Sequence, residues 1–109
     1  RRGQGRGEIG FVSFTVRISP AARADFRRLY MFLAEKDVAA ARRGIDVIRQ
    51  AFEVLKRFPY SCRKAVPDDP TLREMVIPFG NAGYVAAFRI RGNEVRILAI
   101  RHQFEDDYL

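Results

Sequence analysis

Arginine is the residue type in this chain with the clearest capacity for recognition chemistry. Six arginines follow residue 58, at Arg63, Arg73, Arg89, Arg91, Arg96 and Arg101. A guanidinium presents a rigid fork of donors that can hold a carboxylate or a phosphate through two parallel hydrogen bonds. The same side chains could instead form exposed cross-strand ion pairs, which contribute little to stability. Both interpretations are open for these positions.

Residues suited to proton transfer or metal binding are scarce. His102 is the only histidine and could move a proton near neutral pH, or it could simply pack at the end of a strand. Cys62 is the only cysteine, and an incidental thiol is the simpler interpretation because no base is apparent beside it. A disulfide scaffold and a centre built from several cysteines or histidines are therefore excluded. We expect neither a metal nor another cofactor.

Two tyrosines are candidates for contacts with a partner. Tyr84 begins a predicted strand and Tyr108 nearly ends the chain. Tyr108 could stack on a nucleic-acid base, but the neighbouring Asp106 and Asp107 would repel phosphates. Packing in the core or in an interface is the simpler role for both tyrosines.

Charge is distributed unevenly along the 109 residues, which carry a net +7. Residues 1–10 contribute +2 and residues 103–109 contribute −3, so residues 11–102 carry +8. A basic body with an acidic end favours a polyanionic or acidic partner, although a solvated arginine-rich surface would look the same.

The length fits one domain, predicted over residues 11–109. Residues 1–10 are rich in Gly and Arg and are predicted to be a flexible arm or a remnant of an expression vector. Apolar runs are too short to cross a membrane, and a single cysteine suits a reducing compartment. We therefore expect a cytoplasmic protein without a membrane partner.

Hydrophobic periodicity predicts the element order β-α-α-β-β-β. Ser19-Pro20 opens the first helix, and Asp37 caps the second. The first strand is predicted at 12–18, the second helix at 38–58, a loop at 59–70, and the later strands at 72–77, 84–91 and 95–101. The polar faces of the two helices hold Arg23, Arg27, Arg28, Arg42, Arg43, Arg49, Lys56 and Arg57.

These elements predict an α+β fold in which a helical hairpin packs on an antiparallel sheet of three or four strands. Residues 97–100 are apolar on both faces, which predicts that the last strand is central and the least exposed. Helical spacing predicts that Ile45, Ile48 and Phe52 are buried against the sheet.

Several motifs in this order resemble the RelE/ParE superfamily of bacterial toxins. They are Ser19-Pro20-Ala21-Ala22 before the helical hairpin, Leu55-Lys56-Arg57-Phe58-Pro59 at its end, Leu72-Arg73-Glu74, Gly83-Tyr84, Ile97-Leu98-Ala99-Ile100-Arg101-His102 and Glu105-Asp106-Asp107-Tyr108. The resemblance covers about 12–109, and its last motif looks like the tail of the ParE branch.

The resemblance implies the toxin of a type II toxin–antitoxin pair, in a hetero-oligomer with its antitoxin. Toxins resembling ParE inhibit DNA gyrase and serve plasmid stabilisation, whereas toxins resembling RelE cleave messenger RNA on the ribosome. The acidic tail and the absence of a confidently matched catalytic glutamate favour the gyrase inhibitor. Its candidate contacts to gyrase or antitoxin are Arg63, Arg73, Arg89, Arg101 and Tyr108.

Two alternatives remain open. A RelE-like ribosome-dependent endoribonuclease would use Arg73, Arg101 and His102. An inactive member of the family would act only as an antitoxin-bound co-repressor. In every case, the basic body and the aromatic-rich helices predict that an antitoxin segment binds the helices and the sheet edge through an apolar groove with a basic rim.

Overall fold

The computed structural model describes residues 13–103. Its elements are β1 (Thr15–Ile18), α1 (Pro20–Ala34), α2 (Val38–Leu55), a 3-10 turn (Pro59–Ser61), β2 (Arg63–Val66), β3 (Asp69–Phe79), β4 (Ala82–Arg91) and β5 (Glu94–His102). The predicted arm at 1–10 and the start of the predicted first strand lie outside the described residues. The helical hairpin packed on a sheet is confirmed, and the predicted elements occur in the predicted order with one additional strand, β2, after the helices.

The sheet differs from the prediction in its size and in the direction of one strand. It has five strands in the order β1-β5-β4-β3-β2. The strand β1 runs parallel to β5, and the other pairs are antiparallel. Parallel pairing is possible because the chain leaves β1 through the helical hairpin and reaches β5 only after β2, β3 and β4, so no tight turn joins the two strands. The predicted three- to four-stranded, purely antiparallel sheet is therefore wrong in these two respects.

The predicted loop at 59–70 is also wrong. The chain forms β2 there, and Arg63 lies opposite Glu74 in the pairing with β3. The pattern predicts a loop because Pro67 directly follows β2 and Pro70 lies inside β3. Pro78 also lies inside β3. Pro78 is tolerated because it pairs with Gly83 near the end of the β3–β4 hairpin. The predicted second helix is three residues too long, since α2 ends at Leu55.

Hydrogen bonds of the N-cap Ser19 and of Asp25 join the first turns of α1 to β5. Ser19 caps the helix by accepting a hydrogen bond from the Ala22 amide at 3.1 Å, and its hydroxyl donates to the Leu98 carbonyl at 3.3 Å. Asp25 accepts a hydrogen bond from the Ile100 amide at 2.8 Å. The pairing of β4 with β5 shifts register between Ala87 and Phe88. These contacts satisfy backbone groups of β5 beside that bulge and fix how α1 crosses the sheet.

The core lies between the two helices and one face of the sheet. Ile48 and Phe52 of α2 are buried as predicted, whereas Ile45 is only half-buried. The middle strand is β4 rather than β5, and β4 is the more completely buried of the two. Four residues of β4 belong to this core: Tyr84, Ala86, Phe88 and Ile90. Val85 is also buried, but on the outer face of the sheet. The strand β5 is thus an interior strand between β1 and β4, but the prediction that it is the least exposed is wrong.

One close contact fixes the distance between α2 and the sheet. A side chain at Gly44 would place its Cβ atom 2.8 Å from the Tyr84 hydroxyl, so only glycine permits this approach. Neither helix among residues 13–103 is long and apolar enough to cross a membrane.

Candidate functional site

A groove of about 680 Å³ lies between α1 and α2. Apolar and aromatic side chains line it: Ile18, Phe26, Tyr30, Ile45 and Phe52. The rings of Phe26 and Phe52 meet edge to face, with centroids 6.0 Å apart. Four arginines and one aspartate complete the lining: Arg23, Arg27, Arg42, Arg49 and Asp46. The groove therefore combines an apolar surface with a predominantly basic one.

The groove arginines make no ion pair with any residue in the described part of the chain. Helical spacing explains their placement. Arg23 and Arg27 are one turn apart on α1, and Arg42 and Arg49 are two turns apart on α2. Each pair therefore forms a basic stripe on one wall. Asp46 stands between the two arginines of α2 and makes no ion pair within the described residues.

A second arginine-rich surface lies on the outer face of the sheet, opposite the helices. Alternation along the strands and the observed register place six arginines there: Arg17, Arg63, Arg89, Arg91, Arg96 and Arg101. Four of them form ion pairs. Arg17 Nε lies 2.7 Å from Glu94 Oε2, and Arg89 Nη1 lies 2.8 Å from Asp69 Oδ2. The other two share one carboxylate.

Glu74 is the carboxylate shared by Arg63 and Arg101. Its Oε1 atom accepts a hydrogen bond from Arg63 Nε at 3.1 Å, and its Oε2 atom lies 3.8 Å from Arg101 Nη2. The sequence pattern alone does not identify Glu74 as a site residue. The register is what reveals it, because β2 and β5 flank the β3–β4 pair and their arginines converge on the β3 side chain.

Asp69 is the most strongly perturbed acid on this face. The Thr71 hydroxyl donates to it at 2.6 Å, Arg89 Nη1 donates at 2.8 Å, and the Thr71 amide donates at 3.0 Å. These bonds favour the carboxylate, the Thr71 hydroxyl most of all, and lower the pKa of Asp69 from 3.8 to about 2. Arg89 is therefore held in place as an ion-pair partner.

Arg73 does not line the groove, and its guanidinium donates hydrogen bonds to backbone carbonyls. Its Nε atom donates to Pro70 at 2.7 Å, and its Nη1 atom donates to Cys62 at 2.8 Å and to Tyr60 at 3.2 Å. Its guanidinium carbon lies 5.2 Å from the Tyr60 ring centroid. These contacts link the 3-10 turn to β3. Burial raises the pKa of the neighbouring Cys62 thiol, although Ser61 and Arg73 oppose the shift.

His102 lies on the helix-facing side of the sheet. Its ring meets the Tyr84 ring edge to face, with centroids 5.8 Å apart, and Tyr84 stacks in turn on Phe79 at 5.9 Å. Burial raises the pKa of the Tyr84 hydroxyl. Arg101 precedes His102 and pairs opposite Val85, on the other face. The structure therefore directs these two consecutive residues to opposite sides of the sheet.

The predicted contact residues thus fall into separate places. Arg63, Arg89 and Arg101 share the outer face, Arg73 is tied to the 3-10 turn, and Tyr108 lies outside the described residues. Among residues 13–103, no group of three or more His, Cys, Asp and Glu side chains could hold a metal ion. The sequence predicts the groove arginines only as members of the polar helix faces. Their spacing, i and i+4 on α1 and i and i+7 on α2 beside the apolar residues, also indicates that each pair lies on one wall of a groove.

The sequence matches a known toxin family and is similar to two of its curated relatives. Residues 16–107 match the family model described as the ParE toxin of the type II toxin–antitoxin system parDE. Two toxins of Caulobacter vibrioides are similar in sequence. Toxin RelE1 is 37% identical over 94 residues, which are 86% of this chain and 98% of the relative. Toxin RelE3 is 33% identical over 91 residues, which are 84% of this chain and 96% of the relative.

Two solved structures share the fold. A chain of the chromosomal ParDE toxin–antitoxin system from P. aeruginosa superimposes with a TM-score of 0.66 at 19% identity, over 83% of this chain and 96% of that one. A chain of the toxin–antitoxin complex RelBE2 from Mycobacterium tuberculosis gives a TM-score of 0.55 at 26% identity, over 84% and 100% of the two chains.

Proposed function

Because the chain belongs to the ParE toxin family of type II toxin–antitoxin systems, we propose that it arrests growth by inhibiting DNA gyrase through protein–protein contact. A cognate antitoxin neutralises it in the cytoplasm. This function requires a surface that recognises acidic or polar groups of an enzyme. It requires no bond to be made or broken by the toxin's own side chains.

The observation that supports a binding role is the separation of the residues that a nuclease would use. Arg101 lies on the outer face of the sheet, His102 lies against Tyr84 on the opposite face, and Arg73 is bound to three carbonyls near the 3-10 turn. A general acid and an electrostatic stabiliser must reach one phosphodiester together. These three side chains do not converge on a common point.

Antitoxin binding is best supported at the groove between α1 and α2. An amphipathic helix buries its apolar face in such a groove. Here Phe26, Ile45 and Phe52 offer the apolar contacts. The groove arginines lack acidic partners within residues 13–103, so an acidic segment would supply the missing charges. The outer face, by contrast, already holds acids beside four of its arginines.

Gyrase inhibition is tested with purified toxin and relaxed plasmid DNA. We expect the toxin to block supercoiling by gyrase or to trap cleaved DNA, and to leave messenger RNA on translating ribosomes intact. Arg101→Ala should weaken inhibition while leaving the fold intact, because Arg101 lies at the end of β5 and is only partly buried. Arg96→Ala is the matched control, since Arg96 lies on the same strand and face and is exposed.

A ribosome-dependent endoribonuclease is the second candidate. Both Caulobacter vibrioides relatives are named RelE toxins. Glu74, 3.8 Å from Arg101, also supplies a carboxylate beside a guanidinium on the outer face. If messenger RNA on ribosomes is cut at discrete codons, and Arg101→Ala, His102→Ala or Glu74→Gln abolishes the cutting, the nuclease replaces the gyrase inhibitor. Intact antitoxin binding without any growth arrest would instead identify a co-repressor.

A further inference from the structure

We infer that Asp46 selects the partner of the groove by requiring a basic residue within an otherwise acidic antitoxin segment. The inference rests on the proposed use of the groove as the antitoxin site. It adds the charge pattern of the occupant, acidic–basic–acidic, and assigns a specificity-determining role to one side chain.

The electrostatics of the α2 wall support this pattern. Asp46 follows Arg42 by four residues and precedes Arg49 by three, and these are the spacings at which helical ion pairs form. Neither pair is present in the structure. The aspartate and its two neighbours are exposed. Their donors and acceptors are therefore free to bind a segment lying in the groove rather than one another.

The geometry sets the spacing of the complementary charges. Arg42 and Arg49 are seven residues apart, about 10 Å along the helix axis, and Asp46 lies between them. A helix lying along this wall would place acidic residues near both arginines and a lysine or arginine near Asp46, at intervals of three or four residues. Its apolar residues would face Phe26, Ile45 and Phe52.

Asp46 also discriminates against other acidic partners. A uniformly acidic segment, or a nucleic-acid backbone, would place a negative charge against this carboxylate. Repulsion of that kind excludes wrong partners as effectively as a matched pair attracts the right one. The four arginines alone would bind any polyanion. Among the described residues, Asp46 is the one groove residue that restricts binding to segments with a basic residue at the matching position.

The test measures binding of the full-length toxin to its cognate antitoxin, taken from the adjacent reading frame, and to poly-L-glutamate. We expect Asp46→Lys to weaken antitoxin binding by at least about tenfold. We also expect it to strengthen poly-L-glutamate binding by a similar factor. Each basic residue of the antitoxin is then changed to Glu in turn, and one such change should restore binding to the Asp46→Lys toxin.

Binding of the Asp46→Lys toxin to antitoxin at the wild-type affinity, or the absence of any restoring change, would overturn the inference. Arg42→Ala combined with Arg49→Ala separates this failure from failure of the antitoxin site itself. If that double variant binds antitoxin as the wild type does, the groove is not the site. If it binds weakly while Asp46→Lys binds normally, only the selectivity is wrong. Arg43→Ala is the matched control, because Arg43 is exposed on α2 but does not line the groove.

Discussion

The groove and the outer face of the sheet both carry arginines, but in different electrostatic states. In the described residues, none of the four groove arginines has an ion-pair partner, whereas four of the six outer-face arginines do. Register explains the difference, because pairing of the strands brings Glu74 and Glu94 beside arginines of neighbouring strands. The helices bring arginines together across the groove with a single acid among them. A binding surface is therefore indicated by arginines without acidic partners rather than by the number of arginines.

Truncation of a side chain on the floor of the groove should destabilise the protein most, because this floor is also part of the core. Phe52 is 6% exposed and contacts Phe26 edge to face, so Phe52→Ala should cost about 3–5 kcal/mol of unfolding free energy. Val76 on the outer face is 41% exposed, so Val76→Ala should cost less than about 1 kcal/mol. Urea unfolding of both variants checks the difference. A loss below about 1 kcal/mol for Phe52→Ala would contradict the assigned packing.

Much of the fold follows from local patterns, whereas one distant strand pairing and one short strand beside prolines do not. The sequence predicts the two helix caps and one hairpin turn, because each depends only on residues within one turn of chain: Ser19, Asp37 and Gly92-Asn93. It does not predict the parallel pairing of β1 with β5 or the existence of β2. The first joins residues far apart in the chain. The strand β2 pairs locally with β3, but it has only four residues and is followed at once by Pro67, so its sequence resembles a loop.

The candidate sites were predictable to a similar degree. The sequence predicts an apolar groove with a basic rim on the helices, and the structure contains one. The assignment of individual arginines did not follow, because Arg73 interacts with carbonyls of Tyr60, Cys62 and Pro70 that no spacing rule brings near it. The role of Glu74 required the register of β2, β3 and β5.

The α1 wall provides the next largest effect. Arg23→Ala combined with Arg27→Ala should slow association with the cognate antitoxin about tenfold at low salt, because two unpaired charges that attract an acidic segment are removed. The salt dependence of the association rate should also flatten. Stopped-flow binding at several ionic strengths measures both quantities.

The matched control for that variant is Arg91→Ala combined with Arg96→Ala, which removes two exposed arginines from the outer face. We expect its association rate to stay close to that of the wild type. An equal slowing in both double variants would mean that net charge, rather than the groove, governs association.

The pH dependence of stability distinguishes the two surfaces in another way. The lowered pKa of Asp69 favours folding above pH 4, and this contribution disappears as the pH falls from about 4 to about 2. Asp69→Asn lacks the contribution at every pH. The difference in unfolding free energy between wild type and Asp69→Asn should therefore shrink across that window. Urea unfolding at pH 7, 4, 3 and 2 follows it, and a constant difference would contradict the assignment.

The smallest effect concerns the exposed pair between Arg63 and Glu74. The Arg63 side chain is 60% exposed, so solvent screens its pair with Glu74. Removal of Arg63 also leaves Glu74 with a second cation, because Arg101 Nη2 lies 3.8 Å from Glu74 Oε2. A double-mutant cycle of Arg63→Ala and Glu74→Gln should give a coupling of about 0.2–1 kcal/mol that falls as salt rises. A coupling above about 2 kcal/mol, insensitive to salt, would mean that the outer face is built for stability. The outer-face arginines would then be paired because the pairs stabilise the sheet, and their pairing would not by itself argue against a binding role for that face.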